Sequence, residues 1–88
     1  MTKNEDLGED ARQAYQAFLD MSDSKSRHFA CLQAIESRYQ SGGAPSLAEN
    51  LELEKLLSVH DKNVLAFRTA MAAVSEEADK QRLLELMA

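Results

Sequence analysis

Three side chains in this sequence carry chemistry that a metal ion would recognise. His28 and Cys31 stand about one helical turn apart in an H-x-x-C arrangement, and His60 lies on a later segment that a chain reversal would bring opposite them. Imidazole nitrogens and thiolates are good zinc ligands, but three ligands are one short of the usual structural set. Neither C-x-x-C nor H-x-x-x-H pairing occurs here. The E-x-x-H pairs of di-iron helical bundles are absent too. The reading that follows is two histidines at a polar layer between helices, with Cys31 packed as a small apolar residue and no metal.

Carboxylates come next. Glu49, Glu52 and Glu54 could be imagined as paired groups for acid-base work, but helical spacing spreads them around an exposed surface, so a solvated charged face is expected. Nucleophilic catalysis needs an activated Ser or Cys beside an oriented base. The chain contains no nucleophile elbow, no phosphate-cradling glycine loop and no cysteine-protease context. No enzyme activity, cofactor or small-molecule substrate is therefore expected, and two packed helices offer little of the concave pocket that small substrates require.

The elements that must position these residues are set by one stretch. Ser41-Gly42-Gly43-Ala44-Pro45 holds two of the three glycines and the only proline of the 88 residues, which marks a hinge. Before it, Ala11, Ala14, Phe18, Met21, Lys25, His28, Leu32, Ile35 and Tyr39 recur at three-four spacing on one helix face. Ser22-Asp23-Ser24-Lys25-Ser26 offers capping residues, so one helix from about Gly8 to Gln40 or two meeting near Asp23 are both readable; the unchanged apolar phase favours one. After the hinge, Ser46 with Glu49 forms an S-x-x-E capping box. Leu53, Leu57, His60, Val64, Phe67, Met71, Val74 and Ala78 then continue the three-four stripe. Ser75-Glu76-Glu77 either caps a separate last helix or lies within a continuous one, where Glu76 would pair with Lys80.

The predicted fold is all-α: an antiparallel helical hairpin, with or without a short third helix, forming one domain over residues 1–88. Residues 1–8 are expected to be disordered. Folding back at the hinge sets Ile35 opposite Leu53, Leu32 opposite Leu57, Met21 opposite Phe67 and Phe18 opposite Met71, within about half a heptad. It also sets His28 near His60 and Lys25 near Val64, a polar middle between apolar layers. Such residues specify register at some cost in stability, so leucine at both histidines would raise the melting temperature.

Composition narrows the partner. The net charge is −5, with Glu5, Asp6, Glu9 and Asp10 crowded near the start, and a phosphate backbone or an anionic lipid surface would repel it. Charged residues make up 28% and hydrophobic residues 44%, a globular balance. One cysteine excludes an intramolecular disulfide and fits a reducing cytoplasm. The first residues lack a signal-peptide core, and no apolar run nears the roughly 20 residues that span a bilayer.

Apolar surface remains beyond the seam. Leu51, Leu65 and Ala72 fall together on another side of the second helix, and the row reaches Leu83, Leu86 and Met87 if that helix is continuous. Either a third short helix or the chain start near Leu7 covers the row, or a protein partner does, as a docked helix or a second copy in a homodimer.

The stretch Leu32-Gln33-Ala34, the helix end from Glu36 to Arg38, the turn Ser41-Gly42-Gly43-Ala44-Pro45 and the second amphipathic helix resemble the small helical-hairpin co-chaperones of type III secretion needle subunits. The needle subunits themselves are similar in outline: Pro45-Ser46-Leu47-Ala48-Glu49, followed by Ala66-Phe67, resembles their second helix. The resemblance covers residues 25 to 70, about half the chain, on motifs that any helical hairpin shares. The chain extends past the co-chaperone pattern at both ends and lacks the aromatic and polar signature at the end of a needle subunit.

What the resemblance implies is a cytoplasmic helper that holds an aggregation-prone helical export substrate against an apolar face. The function expected from the whole sequence is a non-enzymatic chaperone or adaptor, binding a helical partner through Leu51, Leu65, Leu83, Leu86 and Met87. The alternatives are an acidic inhibitor, such as an immunity protein or antitoxin, and a self-assembling structural subunit.

Overall fold

The computed structural model describes residues 7–88, and among these the chain is all-α, with three helices and no strand. Helix α1 spans Glu9–Arg38, α2 spans Leu47–Ala73 and α3 spans Glu77–Met87. Helix α1 is continuous through Ser22–Ser26. Gly8 precedes it in extended conformation, its carbonyl accepting from Arg12 N at 2.9 Å. Glu9 and Asp10 in the first turn and Arg38 in the last suit the helix dipole.

The connection runs from Tyr39 to Ser46, slightly wider than the expected hinge. Gly42 and Gly43 have φ of 120° and 89°, which L-side chains rarely adopt, so the glycines here are a backbone requirement. Ser46 then starts α2 with the predicted capping box: its Oγ accepts from Glu49 N at 3.1 Å, while Glu49 Oε1 accepts from Ser46 N at 3.0 Å.

Helices α1 and α2 pack along most of their length, and their contacts run in opposite senses along the two helices. Tyr39 and Arg38 meet Glu49 near the turn, Ser24 meets His60, Asp20 meets Asn63, and Phe18 meets Phe67 with ring centroids 6.1 Å apart. The register differs from the sequence reading by about one helical turn. Phe67 faces Phe18 where Met21 was expected, and His60 faces Ser24 where His28 was expected.

Lys25 is exposed, and Ser24 takes its place as the buried residue. The physical reason is the cost of burying an ammonium. A serine hydroxyl can satisfy itself locally, as Ser24 Oγ does by donating to the Met21 carbonyl at 3.0 Å. With its single hydrogen there, the oxygen is left to accept from the Nδ1–H tautomer of His60 at 2.9 Å. On α2, Leu56 is half-buried where Leu57 was expected, and Ala78, expected to continue that stripe, is exposed on α3.

The second helix stops at Ala73. Val74 closes it by donating from its N–H to the Met71 carbonyl at 3.1 Å, and α3 begins after Glu76. This break lets Leu83 pack against Leu7, Ala11, Ala14 and Val74, with Tyr15, Ala70, Met71, Leu86 and Met87 around them. Alanines at 11 and 14 allow the close approach. Of the stretch 1–8 expected to be disordered, residues 1–6 lie outside the described residues, whereas Leu7 is a buried member of this core. No helix among the described residues is long and apolar enough to cross a membrane.

Candidate functional site

The five predicted partner-binding residues divide into two groups. Leu51 and Leu65 are 54% and 64% exposed on α2, whereas Leu83 is fully buried and Leu86 and Met87 are half-buried against the same core. The row that a continuous helix would have extended is interrupted, because α2 ends before Val74 and α3 turns Leu83 inward. Leu83 is a core residue. What remains outward is Leu51 and Leu65 with Leu47, at 75% the most exposed large apolar side chain described. Sequence reasoning passed over Leu47 because it sits in the first turn, beside the capping box.

The outer row belongs to a helix with no fully buried residue over its 27 residues. Its inner face of Leu53, Leu56, Val64, Phe67 and Met71 is half-buried by α1. Because α1 and α2 run past each other in opposite senses, a residue that follows an inner-face residue falls on one flank of the pair, and a residue that precedes one falls on the other. Phe29 follows His28, Leu57 follows Leu56, Leu19 follows Phe18 and Leu65 follows Val64; all four are exposed, Phe29 at 57%, so the outer row borders this flank at Leu65. The opposite flank carries Val59, 45% exposed, among polar groups. Asn63 Nδ2 there donates to the Asp20 carbonyl at 3.2 Å, and Arg27 pairs with Asp23 at 2.8 Å. Phe29 carries a clear sequence signal that was missed, an aromatic ring off the three-four stripe of its helix.

The candidate chemical groups are placed as follows. His60 is engaged with Ser24, and His28 and Cys31 are half-buried elsewhere along α1. Among the described residues no group of three His, Cys, Asp or Glu side chains is arranged to hold a metal ion.

Glu49 is not part of a solvated face with Glu52 and Glu54. Its side chain is only 17% exposed and joins the two helices: Tyr39 Oη donates to Oε1 at 2.6 Å and Arg38 forms an ion pair with Oε2. The Tyr39 hydroxyl and then the Ser46 backbone N–H hold the Glu49 carboxyl below its ordinary 4.5. The same bond to Glu49, with some desolvation, raises the Tyr39 phenol above its ordinary 10.0. These four residues lock the turn and orient both helices at that end.

A shallow cleft of about 290 Å³ lies at the other end, lined by Gly8, Glu9, Asp10, Val74, Ser75, Glu76 and Asp79. Its acidic rim is repelling to anions and contains no nucleophile paired with a base. Apart from Val59 and Leu84, the exposed large apolar side chains lie on the outside of α2 and on the flank that carries Phe29.

Comparison with protein-family models, with curated proteins and with solved structures returns no match to this chain, so the surface itself carries the functional argument.

Proposed function

We propose that this chain is a non-enzymatic protein-binding module: an antiparallel helical hairpin, closed at one end by α3, that covers an apolar helix of a partner along the outer face of α2. One observation carries the reading. A 27-residue helix without a single buried residue turns Leu47, Leu51 and Leu65 outward. A lone exposed leucine is ordinary, but three recurring on one helical face suit a docked amphipathic helix. Glu54, Ser58, Asp61 and Arg68 lie between and beside them on the same side and would give the contact its polar rim.

A cytoplasmic chaperone or adaptor for a helical, self-assembling protein is the role this surface suits. It is also what the likeness to secretion co-chaperones in residues 25 to 70 implies. Covering the partner's apolar stripe would stop that helix from pairing with its own copies, and the net charge of −5 would keep the complex dispersed. An acidic inhibitor has less to draw on, since Glu49 is committed to the turn and leaves Glu52 and Glu54.

The test is capture of partners by the full-length tagged chain from its native cell, comparing Leu51→Glu with Leu65→Glu against Glu52→Gln with Glu54→Gln. The leucine double variant is expected to lose a stoichiometric partner by tenfold or more, and the glutamate variant to keep it. The reverse result, with binding that collapses as salt rises, would replace this reading by the acidic inhibitor.

A further inference from the structure

We propose that α3 is a strap that opens: released from α1, it straightens onto the end of α2 and carries Leu83 onto the outer leucine row. The inference rests on the docking role proposed above for that row and supplies its regulation. In the closed form, part of the surface that a partner helix would cover is withheld.

Spacing is the first ground. Leu47, Leu65 and Leu83 stand eighteen residues apart, five turns of a helix with 3.6 residues per turn, so on one continuous helix they share a single line. Leu51 and Met87 each follow one turn later beside that line. Of these five, the closed form buries Leu83 fully and Met87 in part, which leaves Leu47, Leu51 and Leu65 outward.

The junction is the second. The turn between α1 and α2 is held by Gly42 and Gly43 at positive φ, whereas no residue from Val74 to Glu76 has positive φ and none is glycine or proline. Val74 and Glu76 already have a φ of −75°, near the helical value, and their ψ of 113° and 125° is what keeps them extended. Rotation about ψ therefore converts both to helix. Neither helix end at this break is well finished: Glu76 makes no side-chain cap bond, and the last turn of α2 has no basic residue. A continuous helix would pair the amides from Ser75 to Ala78 with the carbonyls from Met71 to Val74, and would set Glu76 one turn before Lys80.

Little holds the strap closed. Helix α3 has 11 residues, shorter than the roughly 12 to 15 at which an isolated helix becomes marginally stable, so it depends on its docking. Leu83 is the one residue it buries fully, against Ala11 and Ala14, whose methyl groups expose little apolar surface when it leaves. Asp10 on α1 and Glu76 and Asp79 at the start of α3 rim one cleft, and opening moves these like charges apart. A helix lying along the whole row binds the open form more tightly and so draws the chain into it.

Hydrogen exchange of the free, full-length chain tests the switch without any partner. Amides from Gln81 to Met87 are expected to exchange together, about tenfold or more faster than those in the middle of α1 and α2. Leu83→Glu cannot seat a charge in the buried site and should hold the chain open. It should keep its helicity and raise the protection of the Ser75 to Ala78 amides by about tenfold or more. Adding Glu77→Pro should abolish that protection. Proline suits position 77 in the closed form, where Glu77 is the first residue of α3 after an extended Glu76, but it breaks a helix running through. Equal exchange across all three helices overturns the proposal. So does a Leu83→Glu chain whose amides at 75–78 stay unprotected, or one in which α1 and α2 unfold as well. Glu77→Pro alone should weaken capture of a partner held through Leu51 and Leu65 by about tenfold or more, and unchanged capture breaks the link to the row. A wild type that captures nothing through Leu51 and Leu65 sinks the docking reading, and the exchange data still decide whether the strap opens.

Discussion

The two ends of this molecule are held together by different physics. At the α3 end, Leu7, Ala11, Ala14, Val74 and Leu83 are buried together, and three segments of chain converge on one small apolar core. At the turn end Ile35 is the one buried apolar side chain among the described residues. Cohesion there comes from polar contacts: the Ser46 capping box, and Glu49 gripping Tyr39 and Arg38. An apolar core excludes partners because it is already full. A polar lock fixes geometry and leaves the apolar sides of its helices open, which is how a small chain can be both folded and available.

The contrast predicts very unequal responses to truncation. Leu83→Ala removes a fully buried side chain wedged between alanines that cannot expand to fill the space, and should cost about 3 kcal/mol in urea unfolding. Val74→Ala at the edge of the same core should cost about 2 kcal/mol. For a domain of this size such losses lower the melting temperature by roughly 10 °C or more, large against the marginal stability of a small chain. A cost below about 1 kcal/mol for Leu83→Ala would mean that the core at this end is not what closes the fold.

At the turn end the effects should be smaller and dependent on pH. Ser46→Ala removes the hydroxyl that accepts from Glu49 N and should cost about 1 kcal/mol. Glu49 has a depressed folded pKa, so its contribution is present above the ordinary 4.5 and is lost as pH falls through the folded value. Tyr39 has a raised folded pKa, so its contribution is present below 10.0 and is lost as pH rises through the folded value. Melting curves from acid to alkali should therefore show a plateau with two falling limbs. Because the Tyr39–Glu49 bond is the first cause of both shifts, Glu49→Gln and Tyr39→Phe should each flatten both limbs. Unchanged limbs in both variants would locate the titrating groups elsewhere.

The two ends also differ in how far the sequence reveals them. The turn was legible, because glycines at positive φ and an S-x-x-E box are local signals that depend on neighbours within four residues. The continuity of α1 through Ser22–Ser26 was legible too, since the apolar phase persists across it. The register was not. Sliding one apolar stripe by a turn against another yields equally apolar layers, and the choice falls to contacts between residues far apart in sequence, Ser24 with His60 and Asp20 with Asn63.

The end of α2 was ambiguous for a related reason. Val74-Ser75-Glu76 contains no proline or glycine, so the break is decided by Leu83 reaching the alanines of α1. That same packing removes Leu83, Leu86 and Met87 from the outer row while leaving Leu51 and Leu65 on it. Tyr39 and Arg38 clasping Glu49 across the turn were hidden likewise, since nothing in an S-x-x-E box says that its glutamate has further partners.

The smallest expected effect is the sharpest comparison, because it repeats one substitution in both regions. Val59→Ala removes the same atoms as Val74→Ala, but Val59 is exposed on α2, on the flank with Asn63 and Asp20, where no core loses contacts. A β-branched side chain in a helix interior gives up rotamer freedom that alanine does not have to lose, so the change should stabilise by about 0.5 kcal/mol. Opposite signs for one substitution would tie the cost at Val74 to burial. A loss at Val59 comparable to that at Val74, persisting at concentrations where the chain is monomeric, would show that α2 packs its flank more fully than its exposure indicates, and would erase the distinction between the two ends.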